Sequence, residues 1–65
     1  MSIGEIISAL ALCASSFDDD KDHLLMLKNI YSLEVERNGD SIAVCFVDGN
    51  TPDIRIYKDG TKEFL

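Results

Sequence analysis

Two hydrophobic periods divide this chain. From Ile3 to Phe17 the apolar residues Ile3, Ile6, Ile7, Leu10, Cys13, Ala14 and Phe17 recur three and four apart, which places them on one arc of a helix. Ser2 and Glu5 stand at the spacing of a capping box, each side chain able to accept from the other's backbone N–H. The opposite arc holds Gly4, Glu5, Ser8, Ala9, Leu12, Ser15 and Ser16, with a single charge among them. A solvated helix face normally carries Lys and Glu pairs. Small residues around Leu12 leave two readings open: a face that another backbone approaches, or a Ser/Ala-rich face exposed to water.

The pattern breaks at Asp18-Asp19-Asp20-Lys21-Asp22. Acids suit a first helical turn, where free N–H groups and the macrodipole favour negative charge. A short second helix over roughly 19–28 follows, with Lys28 near its end and Asn29 as a stop. Leu24-Leu25-Met26-Leu27 is a continuous apolar run, so periodicity alone leaves helix and strand open there.

From Tyr31 onward the period is two. Tyr31, Leu33 and Val35 alternate with Ser32, Glu34 and Glu36, as in a half-buried strand. Asn38-Gly39 reads as a two-residue type I′ hairpin turn, which opposes Arg37 to Asp40, Val35 to Ile42, Leu33 to Val44 and Tyr31 to Phe46. A loop at Asp48-Gly49-Asn50-Thr51-Pro52 precedes a third strand through Ile54 and Ile56. Lys58-Asp59-Gly60 then turns into a last strand. A three-residue loop with Gly60 left-handed opposes Ile54 to Phe64 and Arg55 to Glu63, satisfying both charge and burial.

The expected fold is one α+β domain spanning residues 1–65. An N-terminal helix, with a short second one, packs on one face of a four-stranded antiparallel meander. That face carries Tyr31, Leu33, Val35, Ile42, Val44, Phe46, Ile54, Ile56 and Phe64. The other carries Ser32, Glu34, Glu36, Ala43, Cys45, Val47, Arg55, Tyr57 and Glu63. This arrangement puts Cys13 and Cys45 on opposite sides of the sheet.

Composition narrows the function. The 65 residues hold 12 acids and 6 bases, for a net charge of −6, with 46% hydrophobic and 28% charged residues. That balance belongs to a folded domain, whose core at this length supplies only ~3–5 kcal/mol. Direct nucleic-acid binding is disfavoured, because it runs on Lys and Arg neutralising phosphates. Two cysteines make no disulfide framework, which favours a reducing, cytoplasmic setting. Ile6 to Leu12 is too short to span a bilayer and is preceded by Glu5 rather than by a cation, so neither export nor membrane insertion is expected.

Catalytic and metal chemistry find little purchase. His23 is the one histidine and has no third residue to orient it toward a cysteine. Asp18, Asp20 and Asp22 alternate as calcium ligands do, but His23 stands where an EF-hand loop needs glycine, and Asn29 where it needs glutamate. No enzyme, metal or cofactor is expected. What remains is charge. Glu34 and Glu36 on one strand, with Tyr57 as an aromatic anchor, form the first candidate surface for a basic protein partner. Asp18, Asp19, Asp20 and Asp22 form the second. Short acidic chains of this kind resemble, as a class, phage anti-defence proteins such as anti-CRISPRs, and also toxin-immunity proteins. The resemblance implies a non-catalytic inhibitor that blocks a nucleic-acid-binding site by occlusion or charge mimicry, in the host cytoplasm if phage-encoded. The alternative is an assembly module, a homodimer through Ser8, Leu12 and Ser15 or through the outer sheet face.

Overall fold

The structure, a computed structural model, describes residues 1–17 and 20–65, with the side chains of Asp20, His23 and Leu24 outside the description. Two helices, α1 (Ile3–Ser15) and α2 (Asp20–Lys28), precede four strands: β1 (Ile30–Val35), β2 (Ser41–Phe46), β3 (Ile54–Tyr57) and β4 (Lys62–Phe64). The strands form an antiparallel sheet in the order β1-β2-β3-β4, the expected α+β meander. The run Leu24–Leu27 is helical.

The capping box at α1 is complete. Glu5 N–H donates to Ser2 Oγ at 3.2 Å, and Ser2 N–H donates to Glu5 Oε1 at 3.0 Å. Asn29 closes α2: its backbone N–H donates to the Leu25 carbonyl at 3.1 Å, and its Nδ2 reaches the same oxygen at 2.8 Å.

The buried face of α1 is turned from the expected arc. Ala9, assigned to the outer side, is fully buried with Cys13 and Ala14, whereas Ile3 and Ile7 are 78% and 61% exposed. The cause is the helix's position. It lies against β3 and α2, and its Leu12 flank abuts the β3–β4 turn at Gly60. The close approach there is made by Gly60, which stands against Leu12 and Cys13, and Ala9 is buried on the same helix.

The sheet's inner face is buried only at its centre. Ile42, Val44, Ile54 and Ile56 are at most 4% exposed, each worth about 1.5–3 kcal/mol of burial. Toward the edges, Leu33, Val35 and Phe64 remain 42%, 40% and 67% exposed, because one 13-residue helix does not cover four strands.

The first hairpin keeps its expected register at Val35↔Ile42 and Leu33↔Val44, but not at the end away from the turn. A bulge between Ile30 and Ser32 pairs Ile30, rather than Tyr31, with Phe46. Ile30 thereby packs on the core while Tyr31 stands 77% exposed. The turn is not type I′, which needs positive φ at two central residues. Gly39 alone has it, at +74°. Instead Gly39 N–H donates to the Glu36 carbonyl at 2.9 Å, and Asn38 Oδ1 accepts from the Asp40 N–H at 2.9 Å and the Ser41 hydroxyl at 3.2 Å. Asparagine's side chain, bonding two residues ahead, offers the chain this other turn. Asp40 forms an ion pair with Lys58 at 3.2 Å. The second hairpin matches expectation throughout: Gly60 has φ +87°, and Ile54↔Phe64 and Arg55↔Glu63 are opposed.

Candidate functional site

Among the described residues no helix is packed on the sheet face opposite the core, and Arg55 organises that face. Its Nε donates to Glu36 Oε1 at 2.6 Å and its Nη2 to Glu36 Oε2 at 3.0 Å, a bidentate pair, while Nη1 reaches Glu63 Oε1 at 2.5 Å. Arg55 on β3 spans β2 to reach Glu36, just beyond β1. The intervening β2 residues are Ser41 and Ala43, short enough to leave the guanidinium a path. Ser41 is buried, and its hydroxyl donates to Glu36 Oε1 at 3.0 Å as well as to Asn38. The Tyr57 hydroxyl donates to Glu63 Oε1 at 3.4 Å. The Arg55 hydrogen bond holds the Glu36 carboxyl below the ordinary carboxylate value, more than its partial burial raises it. Arg55 in turn is held firmly protonated by Glu36 and then Glu63.

The residues expected to meet a partner therefore separate into two kinds. Glu36 and Tyr57 belong to an internal network, and Glu36 also secures the hairpin turn. Glu34 is exposed and makes no ion pair among the described residues. It borders a shallow groove of about 490 Å³ lined by Glu34, Val35, Glu36, Arg37, Asn38 and Ala43. Of the acidic stretch, Asp18 and Asp19 lie outside the described residues, as does the side chain of Asp20. Asp22 is exposed on α2 and lines a half-open cavity of about 240 Å³, on the helical side of the sheet. The structure thus brings Glu34, Glu36 and Tyr57 to one face and sets Asp22 apart from them.

Sequence reasoning missed the Arg55–Glu36 pair. The signal was present in the register: an arginine opposite Ala43, with an acid one step diagonal beyond it. Only the opposed Arg55–Glu63 pair was read.

Ser8, Leu12 and Ser15 are exposed on α1, Leu12 by 51%, and the Ser15 hydroxyl donates to the Leu12 carbonyl at 3.0 Å. The backbone that approaches this flank is the chain's own β3–β4 turn. A second charge network ties the tops of three elements together, with Lys58 Nζ at 3.2 Å from both Glu5 and Asp40. Cys13 is buried and Cys45 half-buried, and both are free thiols.

Among the described residues, no group of three or more His, Cys, Asp or Glu side chains is placed to hold a metal ion, and no helix is long and apolar enough to cross a membrane. Comparison of the chain with known protein families, with curated proteins and with solved structures yields no match.

Proposed function

We propose that the protein is a non-catalytic, acidic inhibitor, of the kind found among phage anti-defence proteins, and that it docks its outer sheet face onto a basic nucleic-acid-binding site of another protein. The observation that carries this reading is the arrangement of charge on that face. Glu34 stands exposed beside a groove that it lines together with the small Ala43, while Arg55 holds Glu36 and Glu63 in place as fixed carboxylates. Fixed carboxylates on a rigid sheet lose little side-chain entropy on docking, and a net charge of −6 speeds the encounter with a basic surface.

Glu34 is the discriminating residue, because reversing Glu36 also breaks the internal network. The test is recovery of a stoichiometric partner from a host lysate, followed by affinity measurements at low and high salt. The expected partner handles nucleic acid, binds more weakly as salt rises, and loses at least about ten-fold in affinity to Glu34→Lys, in the range of a rim charge becoming repulsive. A partner indifferent to both salt and Glu34 overturns the reading.

A further inference from the structure

We propose that the free edge of β1 is a self-association seam, at which two copies pair antiparallel into a continuous eight-stranded sheet. The inference stands apart from the inhibitor reading and uses a different surface from the helix face considered above.

The two edges of the sheet are built differently. β4 is three residues long and carries Lys62 and Glu63, the short charged form with which proteins discourage edge pairing. β1 is six residues long, Ile-Tyr-Ser-Leu-Glu-Val, with one charge and neither lysine nor proline, and its bulge is confined to the first residues, Ile30 to Ser32. Its partner β2 lies on one side, and among the described residues no strand lies on the other.

Backbone parity determines which groups the edge offers. Glu36 N–H donates to the Ser41 carbonyl at 2.9 Å, so Glu36 and, by period two, Glu34 point their N–H and C=O groups at β2. Leu33 and Val35 therefore point theirs outward. Their side chains lie on the inner face, still 42% and 40% exposed because α1 packs over β3 instead.

The sequence of β1 suits a second copy of itself. With the two-fold axis at Leu33, this residue exchanges both backbone bonds with its own copy and Glu34 opposes Ser32, while the bulged Tyr31 lies at the margin of the pairing. No acid faces an acid. Moving the axis to Glu34 sets Glu34 against itself, and moving it to Val35 sets Glu34 against Glu36. The strand is thus self-complementary in the register centred on Leu33, where the half-exposed Leu33 side chains of the two copies also meet directly.

Sedimentation equilibrium over a concentration series, at low and high salt, tests the proposal, with amide hydrogen exchange read on the same samples. Dimer is expected, and it should tighten as salt screens the repulsion between two chains of charge −6. The Leu33 and Val35 amides should gain protection with concentration. Ser32→Glu places an acid opposite Glu34 twice per dimer and should weaken association about five-fold, while Ser32→Lys should strengthen it by a similar factor. Ser32 is exposed, so both variants should keep the wild-type circular dichroism spectrum. A chain that stays monomeric at high concentration in either salt, or a dimer in which the Leu33 and Val35 amides exchange freely, overturns the proposal.

Discussion

Single residues in this protein act mainly through how closely they let backbones approach. A Cβ at Gly60 would collide with the Cβ of Leu12 and stand 3.1 Å from the Cys13 backbone nitrogen, in a conformation with φ +87°. Gly39 has a similar φ of +74° but open space around it. Gly60→Ala is therefore expected to cost about 2–4 kcal/mol, enough to unfold much of a small domain, and Gly39→Ala only about 1 kcal/mol. Urea denaturation midpoints of the two variants measure the difference. The cysteines give a second residue-scale expectation. Burial pushes the Cys13 thiol up, and the sheet separates it from Cys45. In the native protein a thiol reagent should label Cys45 first and reach Cys13 only on unfolding, as peptide mapping after timed labelling would show. An intramolecular disulfide would contradict the placement of α1.

At the scale of elements, the orientation of α1 is the feature that departs most from the hydrophobic pattern. Ile7 is apolar and exposed, and Ala9 is small and buried. Ile7→Gln should change stability by no more than about 0.5 kcal/mol, whereas Ala9→Gln should cost about 1–3 kcal/mol by overfilling the contact and burying an amide. The reverse order in thermal or chemical denaturation would restore the arc centred on Ile3 and Ile7. The bulge in β1 has a similar logic. The chain enters the sheet one residue after α2, with the Val47 N–H donating to the Asn29 carbonyl at 2.7 Å, and the extra residue lets aliphatic Ile30 rather than Tyr31 meet the core.

Over the whole molecule, carboxylates bind the elements together. The Ser2 backbone N–H and then Lys58 hold Glu5 at about 2, below its ordinary value of 4.5. Arg55 likewise lowers Glu36, and the Thr61 hydroxyl and backbone lower Asp59. A depressed carboxylate contributes stability that is complete above its unfolded pKa and is lost as pH falls through the folded one. The melting temperature should accordingly hold steady above pH 4.5 and decline from there toward about 2, with Glu5→Gln removing part of that slope. Salt separates the two association modes. Docking to a basic partner should weaken with ionic strength and pairing of two acidic copies should strengthen, so one titration series reports both.

The sequence by itself determined what rests on neighbours along the chain or directly across a turn. The Ser2–Glu5 cap, the strand period, the Gly60 turn and the Ile54↔Phe64 and Arg55↔Glu63 pairs depend on interactions within a few residues. So does the central register of the first hairpin, because a slip of one residue would turn Leu33 and Val35 to the outer face. Tertiary structure decided which side of α1 meets the sheet, since a helix with apolar residues around much of its circumference rotates to suit the closest backbone contact. It decided that Ile30 displaces Tyr31 at the bulge. It also decided that Glu36 belongs to Arg55 while Glu34 remains exposed, because an arginine's reach across an intervening strand depends on how small the side chains between them are.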